Sequence, residues 1–423
     1  MACQQAKAGA FAYANRRKQA GSRCYIGFWL AMLLSERETL ERVLESVQSP
    51  AVEDMPIWEC RDRILAHDVI ASVALPRFDN STMDGYAVRA EDAIRGARLM
   101  VGGEQAAGAD LGLSVARGEA IRIYTGAPIP RHADAVLMQE DADLLDGVIL
   151  VRDSVSRGEN IRVRGGDLCE GQKVASGGSI LRGPQLAAIA SQGLSELPVF
   201  WRPRVAILAT GSELRSQGEP IGAGEIYETN RIMLADLVAG SGSVGQIFDI
   251  VPDTEEAHLK SFELARDCDV IVVAGGVSVG EKDLVKPTLQ KLGAKLDLWR
   301  VAVKPGKPFM FGRLGRTLVF GLPGNPVSAF VTFLLFARPA LWKLGGRSSL
   351  ELPHGRARLA EDLVNRGGRP HYLRGDYKEG VFKPVGRQES HALFALSQAN
   401  ALCRLEPDQI AVADSIVDVI PLF

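Results

Sequence analysis

Three apolar runs constrain this chain more than any other feature. RVAILAT (204–210), DVIVVAGG (269–276) and TLVFGLPG (317–324) are dense in Val, Ile and Leu, and each leads into a glycine-bearing loop. A strand buried on both faces requires that composition, because helices cover both sides of a parallel sheet. The stretches TNRIMLADLVAG, TEEAHLKSFELARD and LVKPTLQKLG read as helices between the strands. Strands alternating with helices predict a central α/β domain with a doubly wound parallel sheet over 201–347. The last helix, NPVSAFVTFLLFARPALWKL, is long and apolar, and Asn325 before Pro326 makes a favourable N-cap and first-turn pair.

Ligands of such sheets bind outside the carboxyl ends of the strands. Three loops share that edge: ATGSEL, GGVSVGEKD and LPGNPVS. In the second, Gly275, Gly276 and Gly280 let backbone amides approach a ligand, and Ser278 offers a hydroxyl. In the third, Pro323, Gly324, Asn325 and Pro326 open a helix whose positive end faces the same rim. Neither GxxxxGK[ST] nor GxGxxG occurs here, so the pattern implies a phosphate-bearing ligand other than those of the P-loop and dinucleotide folds. VAVKPGKPFMFG adds Lys304 and Lys307 across a Pro-Gly segment, either as counter-charges to an oxyanion or as a solvated hairpin tip. Glu213, Asp253 and Asp283 follow strands, where carboxylates hold Mg²⁺ beside phosphate oxygens. Asp253 and Asp283 also fit as helix N-caps.

The rest of the chain differs in grammar. Ser35 and Glu38 form a capping box ahead of a helical pattern at Leu40, Val43, Leu44 and Val47. From there to about residue 200 short apolar runs alternate with Gly and Pro turns, apart from the helix in PQLAAIASQGLSEL, and short β elements are expected. After Gly346 the pattern is all β and suggests a small barrel or sandwich. One segment, FDNSTMDGYAV (78–88), sets polar and flexible residues between Phe78 and Tyr86–Val88, which look ready for burial. Its Asp84-Gly85 pair fits an ordinary turn as well as a rigid loop presenting a carboxylate.

Of the 423 residues, 24% are charged, and the net charge is −2, so no overall basic field favours nucleic acid or anionic lipid. Six cysteines and six histidines are scattered without zinc spacing, which points to reduced thiols in a cytoplasm. No uninterrupted apolar run reaches the ~18 residues of a membrane span. Residues 1–31 carry basic residues, no acid, and then a short apolar run; without a cleavage site they read as an unstructured extension.

PRFDNSTMDGYAV, RIYTGAPIP, GGVSVGEKD, VKPGKPFMFG and GLPGNPVSAF, in this order, resemble the molybdopterin molybdenumtransferase family, that is, the MoeA proteins and the E domain of gephyrin. The likeness runs from about Leu34 to the C-terminus. It implies molybdate insertion into adenylylated molybdopterin with Mg²⁺-dependent release of AMP, the last step of molybdenum cofactor synthesis. It also implies a homodimer with a shared cleft, and contact with the upstream molybdopterin adenylyltransferase. Four units follow from it: an elongated N-terminal domain (32–70 and 166–200), an inserted β-rich domain (71–165), the molybdopterin-binding α/β domain, and a C-terminal β-barrel domain (348–423). By position in the family motifs, Asp84, Thr125, Asp167 and Lys304 are the expected catalytic residues. Gly275, Gly276, Ser278, Gly280, Arg300, Lys307, Pro323, Gly324, Asn325, Pro326, Arg374 and Ser390 are expected to bind substrate, and Glu213, Asp253 and Asp283 to bind metal. Ser212 departs from an aspartate common in the family, which removes one potential ligand. Two alternatives stay open: a molybdopterin-binding scaffold, which would carry long linkers, and the adenylyltransferase itself, which would lack the FDNSTMDGYAV segment and the C-terminal β domain.

Overall fold

The computed structural model describes residues 33–48, 50–277 and 283–422. The expected extension 1–31, Ser278 and Gly280 lie outside them. The α/β unit holds a six-stranded sheet in the order Val244–Ile247, Arg204–Ala209, Val270–Ala274, Thr317–Leu322, Pro308–Leu314, Lys295–Arg300. The first four are parallel, as expected, and the last two are antiparallel additions that close one side. The three apolar runs form its centre. Val205–Ala209 and Val270–Ala274 are 0–1% exposed, as strands covered on both faces must be.

On one face lies the helix Pro326–Leu344, whose Phe333 and Phe336 pack with Phe309, Phe311 and Phe320 of the sheet. Phe309 and Phe336 meet at 4.7 Å between ring centroids. Each such ring contributes about 2–3 kcal/mol by burial. The helix ladder shifts to π geometry over Phe333–Ala337; Pro339, lacking an N–H, cannot donate to the carbonyl four residues earlier. This helix has the length and mean hydropathy, 1.4, to cross a membrane, which the count of uninterrupted apolar residues did not anticipate. However, 83% of its most apolar window is buried inside the fold, so it serves as the core helix of this domain.

The helix Glu36–Glu45 begins with the expected capping box: Ser35 Oγ accepts from the Glu38 amide, and the Ser35 amide donates to Glu38 Oε2 at 2.9 Å. Val43 and Val47 enter the α/β core. Its first-turn Glu36 accepts from Tyr372 Oη at 2.7 Å and Arg404 Nε at 3.3 Å, tying the helix to the C-terminal unit as well. That unit is a closed barrel, not a sandwich. Its strands run Gly355–Leu359, Val381–Pro384, His371–Lys378, Ala401–Leu405, Ile416–Pro421 around Leu359, Leu373, Phe382, Cys403 and Val419.

A second six-stranded sheet holds the segment that opens with Phe78. Its order is Ala135–Met138, Gly85–Val88, Glu119–Ile123, Arg98–Gln105, Val148–Val151, Ala142–Leu145. The strand Val52–Pro56 pairs with Glu196–Phe200, and Val69–Ile70 with Lys173–Ala175, so residues far apart in sequence build one unit.

Candidate functional site

Asp84 stands at the start of the strand Gly85–Val88 and not in a hairpin turn. Gly85 is required by packing: a Cβ there would collide with the Leu137 carbonyl of the adjacent strand. Tyr86, Ala87 and Val88 are buried, as expected, but Phe78 is 46% exposed, two residues ahead of the Asn80–Ser81 strand that pairs with Ile161–Arg162. The loop is held by its own polar groups. Ser81 Oγ donates to Met83 O at 2.6 Å, and Asp79 Oδ1 accepts from the Arg164 amide at 2.6 Å.

The Asp84 carboxylate is exposed, and its Oδ1 accepts from both the amide (2.8 Å) and hydroxyl (2.9 Å) of Thr125. These two bonds, with Arg122 nearby, hold its pKa below the ordinary carboxylate value. Thus two of the expected catalytic residues are in direct contact. Asp167 belongs to a third segment tied alongside, its amide donating to Leu75 O at 3.0 Å, while its side chain is exposed. Arg122 escaped the sequence reading. It lies 4.9 Å over the ring of Tyr86 and donates to Gln139, and only strand pairing places it beside Asp84.

The α/β rim collects the other residues. Gly275 and Gly276, both at positive φ (94° and 63°), turn the chain after Val270–Ala274. A Cβ on Gly275 would come within 2.6 Å of Thr210 O, and one on Gly276 within 2.8 Å of Thr210 Oγ1, so no larger residue fits. Gly324, exposed after the buried Pro323, lies against Gly275. Asp283 is half-buried behind Gly276. Ser212 and Asp253 bond reciprocally, each amide donating to the other side chain at 3.0 Å. Ser212 therefore fixes Asp253 even though it supplies no carboxylate. The N-cap alternative fails for both aspartates: Thr254 caps one helix, its Oγ1 accepting from the Ala257 amide, and Leu284 occupies the cap of the other. Glu213 curls back over Gly211, beside Ser212. Among the described residues no three Asp, Glu, His or Cys side chains converge as a metal cage.

The Pro-Gly segment is not a free hairpin tip. The Lys304 amide donates to Pro370 O at 2.9 Å, and Lys304 O accepts from the Tyr372 amide at 2.8 Å, stitching the α/β unit to the barrel. The Lys304 and Lys307 side chains remain exposed, and Arg300 ends its strand half-buried. Asn325 occupies the N-cap position of the helix beginning at Pro326, but its side chain does not cap; Nδ2 donates to Ser390 Oγ at 3.0 Å. Arg374, expected to touch substrate, is 0% exposed. Its Nη2 donates to the Arg387 and Glu389 carbonyls, which shape the loop carrying Ser390. Burial lowers its pKa from the ordinary value. His371 is 5% exposed with no partner among the described residues for either ring nitrogen, and burial together with Lys304, Arg374 and Arg369 lowers its pKa to about 4.

Fold and site together define a multidomain protein in which carboxylates and lysines flank the strand-end rim of an α/β unit. Residues 34–193 match the MoeA N-terminal region (domain I and II), 206–343 the probable molybdopterin binding domain, and 356–422 the MoeA C-terminal region (domain IV). A molybdopterin molybdenumtransferase from Haemophilus influenzae is 36% identical over 386 residues, covering 89% of this chain and 95% of the relative. Molybdopterin molybdenumtransferase 2 from Mycobacterium tuberculosis is 36% identical over 393 residues, covering 90% and 97%. The crystal structure of a molybdopterin biosynthesis MoeA protein from Pyrococcus horikoshii superposes with a TM-score of 0.80 at 31% identity, covering 92% of this chain and 100% of the other. The chain belongs to the molybdopterin molybdenumtransferase (MoeA) family.

Proposed function

We propose that this protein inserts molybdate into adenylylated molybdopterin and releases AMP. The observation that carries the reading is the rim itself. Three glycine turns meet over Thr210, with Glu213 and Asp253 on one side and the helix start at Pro326, Lys304 and Lys307 on the other. That arrangement suits a ligand whose phosphates need both a cation and hydrogen-bond donors.

Mg²⁺ is commonly held by one or two carboxylates, several waters and substrate phosphate oxygens, not by a dedicated cage. Glu213 and Asp253, on loops joined through Ser212, fit that pattern, and Asp283 lies behind Gly276. Bound there, Mg²⁺ would neutralise pyrophosphate oxygens. Lys304 and Arg300 balance the anion's charge, and Ser390 and Asn325 position it. Asp84 is kept ionised by Thr125, so it orients a water by accepting its proton in a hydrogen bond. Water attack at phosphorus breaks the phosphoanhydride bond, and AMP leaves. Asp84 belongs to a different sheet from the rim. The reading therefore takes the protein as a cytoplasmic homodimer in which Asp84, Thr125 and Asp167 of one subunit face the rim of the other. Met83, next to Asp84, and Phe78, earlier in the same segment, are exposed and available for that contact. The adenylylated substrate would come from the upstream adenylyltransferase by transient contact.

Purified protein given adenylylated molybdopterin, molybdate and Mg²⁺ should release AMP, and omission of Mg²⁺ should stop release. No AMP from the complete mixture overturns the reading.

A further inference from the structure

Two polar atoms beneath the rim have no hydrogen-bond partner among the described residues: Thr210 Oγ1 and Asn230 Oδ1. Their residues are 6% and 8% exposed. Buried groups of this kind are satisfied in nearly all native proteins, so an unsatisfied pair calls for a physical cause. They are also neighbours by a continuous path. Asn230 Nδ2 donates to Gly324 O at 2.8 Å. A Cβ on Gly324 would lie 3.6 Å from Gly275 Cα, and one on Gly275 would lie 3.1 Å from Thr210 Oγ1. Both atoms therefore belong to the place where the three strand-end loops meet.

The bond to Gly324 fixes the chemistry on offer. With one N–H committed to a carbonyl, Asn230 leaves its buried Oδ1 as an acceptor in want of a donor, and a flipped amide would set two oxygens against each other. An acceptor repels phosphate or molybdate oxygens and selects an N–H donor. The lysines and the helix start at Pro326 serve the anionic part of a ligand, so this pair serves another part. We propose that Thr210 and Asn230 are specificity-determining residues that bind the N–H-bearing edge of the substrate's pterin ring. The pyrimidine edge of a pterin carries a lactam N–H and an exocyclic NH₂, both donors. The Gly275-Gly276 turn covers Thr210 and Gly324 lies over Asn230, and glycine backbone can swing aside at the smallest steric cost. The inference rests on the molybdopterin-binding reading given above.

Thr210→Val tests it, because valine keeps the shape and removes only the hydroxyl. Anaerobic fluorescence titration with purified molybdopterin should show about 10-fold or greater loss of affinity for Thr210→Val. Its unliganded thermal midpoint should be unchanged or raised, since the fold gives that hydroxyl no partner. Thr210→Ser, which retains the hydroxyl and tolerates the site if valine does not, should bind within about threefold of the native protein. AMP should bind all three proteins equally. Native-like molybdopterin affinity in Thr210→Val, or an equal loss of AMP affinity, overturns the assignment while leaving the functional reading intact. Failure of the unsubstituted protein to bind molybdopterin overturns both.

Discussion

The Asp84 sheet and the joint between the α/β unit and the barrel handle charge in opposite ways. Asp84 is an exposed anion that two donors from Thr125 satisfy completely on one oxygen. At the joint, Lys304, Arg369, His371 and Arg374 gather, and the two arginines take backbone carbonyls as partners, Arg369 Nη1 donating to Val303 O at 2.9 Å and Arg374 to Arg387 and Glu389. The first region keeps a negative charge at low cost because water and Thr125 share it. The second confines positive charge in a poorly solvated seam, and the group able to give up its charge, His371, does so. The comparison teaches that an exposed carboxylate and a gathered set of cations are held in different environments, here on separate sheets.

Substituting Asp84→Asn is the strongest way to break this contrast, since it keeps the strand start and removes the charge. AMP release should fall about 100-fold or more, the scale of a lost acid/base or metal-orienting role, with dimerisation by light scattering and substrate binding unchanged. Normal release would reduce Asp84 to a structural residue.

The joint is probed next by acid. The pKa of His371 is depressed in the folded state, from 6.5 to about 4, so the unfolded chain takes up the proton more readily. The associated stability is fully present above pH 6.5 and is lost as pH falls toward 4. Between pH 7 and pH 5 the loss should be about 2 kcal/mol, read as the difference in urea stability between the native protein and His371→Gln. Parallel pH profiles for the two proteins would place His371 in a wetter site.

Smaller effects sharpen the same comparison. Lys304→Ala should weaken binding of the anionic substrate by about 10-fold, because its backbone stitch to Pro370 and Tyr372 survives the change; unchanged affinity would return the side chain to solvent. Thr125→Ala leaves the backbone donor to Asp84 in place, so AMP release should fall only about threefold. A fall as large as that of Asp84→Asn would assign the Thr125 hydroxyl a role of its own.

Much of this architecture was legible in the chain. Val205–Ala209, Val270–Ala274 and Thr317–Leu322 announce a covered parallel sheet by composition, and Ser35 with Glu38 announces a helix start, because both signals are local. The two antiparallel strands at the sheet's edge were less legible, since edge pairing depends on what covers the sheet. Phe78 misled because its apolar character says nothing about which way the chain turns. Arg374 was expected from its place in the family motif; its full burial and its bonds to the carbonyls of the loop that carries Ser390 were not legible in the chain. Thr210 lay in plain view in ATGSEL, and its place directly after a strand was the available signal.

The sequence alone determined the order of units, the position of the glycine turns and the chemical types present at the rim, because these follow from hydrophobic period and backbone permissiveness within a few residues. Only the tertiary structure decided which groups meet. Asp84 finds Thr125 across 41 positions, Ser212 finds Asp253 across 41, and Asn325 finds Ser390 across 65. Contacts of that range depend on strand order and domain docking, where buried area and complete hydrogen bonding are settled for the whole molecule at once.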